Sequence, residues 1–114
     1  MKTTILAFAT MLAIATSALA HSKQEMTVPA DGTTVAELSE LVLRFDQPMR
    51  VTNIVLSSTE RQIELSSEMG TDAVTEYVAI PKDDIVPGDY EVEWRGLSAD
   101  GHPMQGGYVF TVSP

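Results

Sequence analysis

The clearest periodicity lies in the last third of the chain. Tyr90, Val92 and Trp94 alternate with Glu91, Glu93 and Arg95. A period of two predicts a half-buried strand with the apolar residues turned inward and the charges in water. Tyr108-Val109-Phe110-Thr111-Val112 repeats the alternation, and a loop from Gly96 to Gly107 is read as joining the two strands. Upstream, Leu41, Leu43 and Phe45 share one face at the same period. Ile54 with Leu56, then Ile63 with Leu65, mark two further short strands, and Thr71 to Ile80 a longer one carrying Tyr77. Pro29-Ala30-Asp31-Gly32 and Pro87-Gly88-Asp89 are turn signals. Residues 33–40 have room for a helical turn, but Val35 and Leu38 alone do not decide it. Short strands at this spacing, without a convincing helix, predict an all-β antiparallel sandwich or small barrel.

The first twenty residues follow a different pattern. Lys2 precedes an uncharged, apolar run from Ile5 to Ala15, and Ala18-Leu19-Ala20 fits a small-x-small cleavage site. This is the layout of a secretory signal peptide. The run is short of the roughly 20 residues a membrane-spanning helix needs. The expected division is therefore a signal peptide over 1–20 and one domain over 21–114, beginning at His21 and inserted in no membrane after processing.

Composition sharpens this picture. The chain has 114 residues, enough for one domain, and no cysteine. Neither disulfides nor thiolate metal ligands are available, and export without disulfides suits a periplasm. Sixteen carboxylates oppose seven Lys plus Arg; without Lys2, six basic residues remain, a formal charge of −10. Such a surface repels nucleic acid and anionic membranes.

Both histidines stand at unusual places. After cleavage His21 is the first residue, and it offers a metal its α-amine and its imidazole Nδ1 in one chelate ring. The amine's intrinsic pKa, near ~8, lets a metal displace its proton at neutral pH. The second piece is Ser98-Ala99-Asp100-Gly101-His102-Pro103, where Asp100 and His102 stand two apart and leave an extended segment on the same side. If the two pieces meet, the donors are three nitrogens and one oxygen. That set suits tetragonal copper(II), with zinc and nickel also compatible.

The sequence resembles the CopC-type periplasmic copper-binding proteins over essentially all of residues 21–114. The resemblance is carried by His21, Val28-Pro29-Ala30-Asp31-Gly32, Leu43-Arg44-Phe45-Asp46-Gln47-Pro48, and above all Gly88 to Arg95 leading into Ser98-Ala99-Asp100-Gly101-His102-Pro103. It implies a Greek-key β-sandwich, immunoglobulin-like or cupredoxin-like, with one Cu(2+) held by His21, Asp100 and His102. It also implies a non-enzymatic periplasmic role in copper homeostasis and resistance, as a monomeric carrier or buffer whose partner is a membrane copper transporter of the CopD type. Two departures stand out. Gln47 occupies a position where family members often carry Glu, and Met26, Met49, Met69 and Met104 are scattered rather than clustered. Thioethers select copper(I), and Met104 lies nearest His102 in sequence.

Two other readings compete. A copper-dependent oxidative enzyme also uses an N-terminal His with a second His, but needs open coordination positions and a broad substrate platform, for which a 94-residue domain with one Trp and three Tyr has little room. A metal-free interaction module is the other, since the sandwich fold alone implies no function.

Overall fold

The structure, a computed structural model, describes residues 24–114. The expected signal peptide and His21 lie outside the described residues.

Eight strands follow in order: β1 (Gln24–Val28), β2 (Thr33–Val35), β3 (Leu41–Ser58), β4 (Gln62–Ile63), β5 (Leu65–Ser66), β6 (Ala73–Pro81), β7 (Gly88–Ser98) and β8 (Pro103–Val112). The described residues contain no helix. The segment read as a possible helical turn instead forms β2 and an irregular stretch, with Val35 and Leu38 packed against the core.

β3 organises the molecule. The two short strands expected at Leu41–Phe45 and around Ile54–Leu56 are halves of this one strand of 18 residues. Its first half pairs with β1 and β6, and its second half pairs with β7 and β4. The pairing with β6 slips between Arg44 and Met49. Pro48 sits in that slip; it has no N–H to give a ladder, so a break in regular pairing is where it fits best. The irregularity lets one strand serve two halves of a curled sheet whose order is β2-β8-β7-β3-β6-β5. β3 thus lies between two strands distant from it in sequence, as expected of a Greek-key sandwich.

The inward residues of both halves form one core. Leu41, Leu43 and Phe45 come from the first half of β3, and Met49, Val51 and Leu56 from the second. Tyr77 and Ala79 of β6, Tyr90, Val92 and Trp94 of β7, and Tyr108, Phe110 and Val112 of β8 complete it with Ile63. Phe45 meets Trp94 edge to face, with ring centroids 5.0 Å apart. Both strands read from strict alternation have the predicted faces: Glu91, Glu93 and Arg95 are exposed between buried neighbours.

Two details differ from expectation. β2 runs parallel to β8, so the sheet is not wholly antiparallel. The expected long loop from Gly96 to Gly107 is also mostly strand. The β7–β8 ladder continues through Trp94↔Gly106, Gly96↔Met104 and Leu97↔Pro103, leaving only residues 99–102 as the turn. The glycines there mark close approach rather than a loop. A Cβ at Gly96 would lie 2.7 Å from the Arg50 carbonyl oxygen. One at Gly106 would lie 2.7 Å from Trp94 Nε1 and 2.9 Å from its Cε2.

Candidate metal centre

The continued ladder makes Asp100 and His102 the tip of a tight hairpin. The Ser98 N–H donates to the His102 carbonyl at 2.9 Å, and the Gly101 N–H to the Ser98 carbonyl at 2.9 Å. Gly101 has φ of 84°, the left-handed region where only glycine avoids a steric penalty. Asp100 and His102 therefore do not project side by side from an extended segment. The chain turns back between them, and their side chains meet: Asp100 Oδ2 lies 2.7 Å from His102 Nδ1.

Ser98 holds this pair from beneath. It is buried, with 7% of its surface exposed. Its hydroxyl donates to Asp100 Oδ1 and accepts the His102 backbone N–H at 3.1 Å. The two side chains above it remain open to solvent, 55% exposed for Asp100 and 58% for His102. A buried serine thus orders two exposed polar groups, rigid below and accessible above. The carboxylate can only accept, so Nδ1 carries a proton, and a ring without a second proton keeps its lone pair on Nε2.

The Ser98 hydroxyl, followed by the His102 ring and backbone, lowers the Asp100 pKa from 3.8 to about 2. A depressed carboxylate favours the folded hairpin above its ordinary range and loses that contribution as pH falls through its folded value. The window here runs from about pH 4 down to about 2. In Ser98→Ala the Asp100 carboxyl is expected to titrate closer to 3.8, as a carboxyl-carbon NMR titration would measure. Titration still centred near 2 would mean that the serine is not the cause.

β1 runs toward the same end of β3 as the hairpin. Gln24 pairs with Phe45, while further along β3 Met49 pairs with Ser98 at the base of the hairpin. β1 is antiparallel to β3, so its N-terminal end is directed toward the Met49 end of that strand. The Gln24 side chain accepts a hydrogen bond from Trp94 Nε1 at 2.8 Å. Sequence reasoning gave Gln24 no role and quoted Ser98 only as part of a motif. A polar residue opening a strand, and a serine at the inward period of β7, were the available signals.

His21 lies outside the described residues, three positions before Gln24. Of the three expected ligands the structure thus brings together Asp100 and His102. Among the described residues no group of three or more His, Cys, Asp or Glu side chains converges on a common point. Gln47 is exposed in the slip of β3. Met49 is wholly buried with its sulfur against Gly96, and half-buried Met104 pairs with that same glycine.

Comparison with known proteins agrees with this architecture. The family model for the CopC domain matches residues 24–113. Copper resistance protein C of Escherichia coli is 29% identical over 112 residues, covering 90% of this chain and 89% of that protein. Copper resistance protein C of Pseudomonas syringae pv. tomato is 26% identical over 115 residues, covering 92% and 90%. The crystal structure of PcoC, a methionine-rich copper resistance protein from Escherichia coli, superposes with a TM-score of 0.69 at 29% identity, over 82% of this chain and 100% of that one. CopC from Methylosinus trichosporium OB3b does so with a TM-score of 0.69 at 25% identity, over 82% and 95%.

Proposed function

The chain belongs to the CopC family, whose relatives here are named as copper resistance proteins rather than enzymes, and from that premise we propose that it is a periplasmic carrier or buffer for one copper(II) ion. In this reading residues 1–20 are removed on export. The new N-terminus at His21 then supplies its amine and ring, and the hairpin supplies His102 and Asp100. The ion is cargo, taken up and passed on to a membrane copper protein of the CopD type, and the carrier works as a monomer.

The observation that supports this reading best is the Asp100–His102 pair, held by Ser98 at the end of the molecule toward which β1 is directed. An imidazole whose Nδ1 is held by a carboxylate, leaving Nε2 as its remaining donor atom, beside a carboxyl group that stays ionised far below neutral pH, is a donor pair suited to a divalent ion. Asp100 already binds the serine hydroxyl and the imidazole, but a carboxylate has about four lone-pair sites. It can therefore steer His102 and still donate to a metal. Combined with an amine and a second imidazole, these donors make the nitrogen-rich, oxygen-containing set that copper(II) prefers.

The reading stands or falls on the amine. Protein recovered from the periplasm is expected by intact-mass spectrometry to start at His21. In a competition titration it should show one tight copper(II) site, and that site should be lost when a single extra residue precedes His21. The ring would survive such an extension, but the chelate through the α-amine would not. Tight binding that persists in the extended protein, or a natural start at another residue, sinks the assignment.

A further inference from the structure

We infer that the outer face of β7 docks a partner protein, which lays along it an extended segment with cationic side chains at every second residue. The inference goes beyond the copper reading and does not depend on it. It rests on the order of charges along one strand and on the shape of the surface around them.

The pattern follows from the same alternation that builds the core. With Tyr90, Val92 and Trp94 turned inward, Asp89, Glu91, Glu93 and Arg95 stand in one row on the other face, and all four are exposed. At about 3.4 Å per residue the three carboxylates span about 14 Å, and the arginine follows about 7 Å further toward the hairpin. Sheet surfaces gain stability by setting opposite charges across from each other. Here the cross-strand neighbours in register with the carboxylates are all neutral. Ser57 and Val109 flank Glu91, Val55 and Gly107 flank Glu93, and Thr111 lies beside Asp89. The ion pairs among the described residues join Arg44 to Glu76 and His102 to Asp100, so neither Glu91 nor Glu93 is in one.

The row is a ridge between two open depressions, and Glu91 lines both. One, of about 490 Å³, runs past Val55, Glu93 and Gly107 to Arg95. The other, of about 420 Å³, runs past Ser57, Val109 and Asp89. Val109 is 50% exposed. Lysine and arginine rest their methylene stems on apolar surface while the charged head seeks a carboxylate. Val109 beside Glu91 and Val55 beside Glu93 offer both at once.

The order of charges decides between occupants. A second copy related by a two-fold axis would present the same row reversed. Asp89 would then meet Arg95 at each end, but Glu91 would meet Glu93 twice in the middle. With sixteen carboxylates against seven Lys plus Arg, two copies also repel overall. A basic segment of another protein has no such conflict. Extended chain shares the repeat of the row, so three cations can face three carboxylates, and an acidic residue over Arg95 fixes the direction. A segment seated there lies along the strand that leads into the Asp100–His102 hairpin.

The test is an NMR titration of isotope-labelled, metal-free protein recovered from the periplasm, with two capped peptides of equal composition. Lys-Thr-Lys-Thr-Lys-Thr-Glu matches the row, and Lys-Thr-Glu-Thr-Lys-Thr-Lys carries the same charges out of order. The matched peptide is expected to bind about fivefold more tightly at low ionic strength and to shift the amides of β7 and β8 around Glu91, Glu93 and Val109. Glu91→Gln combined with Glu93→Gln should weaken it by about fivefold to tenfold. Glu68→Gln combined with Asp72→Asn removes as much charge from the exposed segment between β5 and β6 and should change affinity less than about twofold. In Arg95→Glu the preference for the matched peptide should disappear. All these positions are exposed, and circular dichroism checks that each variant is folded. Equal affinity for the two peptides would reduce the effect to bulk charge and overturn the inference, as would shifts confined to another face. Self-association of the wild type that is lost in the Glu91→Gln, Glu93→Gln protein would put a second copy on this face and overturn it too.

Discussion

Replacing His102 with alanine is expected to lower copper(II) affinity by about a hundredfold or more while leaving the fold intact. The side chain is 58% exposed, so its removal opens no cavity in the core. The hairpin keeps its frame, because Ser98 is bonded to the backbone N–H of residue 102 and the Ser98 N–H to its carbonyl, and neither bond involves the ring. The loss at the metal is large for two reasons. One imidazole donor disappears, and Asp100 loses the ring that its Oδ2 now holds at 2.7 Å, so the remaining carboxylate is less well aimed. Competition titration reads the affinity, and circular dichroism with thermal unfolding checks the fold. Unchanged affinity would remove the hairpin from the site altogether.

The second large effect concerns stability. Trp94→Ala is expected to destabilise the protein by about 4 kcal/mol, the usual range for truncating a buried tryptophan. The contributions can be named. The edge-to-face contact with Phe45 goes, the Gln24 side chain loses its donor, and a void opens beside Gly106, where a glycine was required to admit the indole. A single domain of this size has roughly 5–15 kcal/mol to lose. With about 4–8 °C per kcal/mol, the melting temperature should fall by roughly 20 °C. Denaturant unfolding followed by far-ultraviolet circular dichroism gives the measurement. A loss under about 1 kcal/mol would mean that the core closes over the gap without the indole, contrary to the close packing seen around it.

These two residues show which parts of the protein are legible in its sequence. The inward position of Trp94 follows from strict alternation with Glu91, Glu93 and Arg95, since a one-residue slip would place three charges in the core. The same logic yields Tyr108, Phe110 and Val112, and on β3 Leu41, Leu43 and Phe45. The two polar side chains of the hairpin were also readable, as a carboxylate and an imidazole flanking a glycine. Their mutual geometry was not. Spacing alone suggested parallel projection from an extended segment, whereas Gly101 adopts a left-handed conformation and turns the imidazole onto the carboxylate.

The glycines explain the largest misreading. Gly96, Gly106 and Gly107 look like loop residues because glycine is most often used for its freedom at turns. Here Gly96 and Gly106 are strand positions where another part of the protein comes too close for a side chain: the Arg50 carbonyl at one and the Trp94 indole at the other. Nothing local distinguishes the two uses. The same holds for β3, which reads as two strands because its alternation breaks at Asp46-Gln47-Pro48. The break is real, but the chain continues through it into the other half of the sheet.

By itself, then, the amino-acid order determined the faces of the alternating strands, the part of the core they supply and the residue types able to bind a metal. Each of these depends on side-chain chemistry repeated at a short, fixed period. Only the tertiary structure decided that β3 serves both halves of the sheet, that β2 lies parallel to β8, that Ser98 braces the hairpin pair, and that Gln24 is tied to Trp94. Those are contacts between residues far apart in the chain or folded back on one another, and their energies exist only once the backbone has brought the partners within a few ångströms.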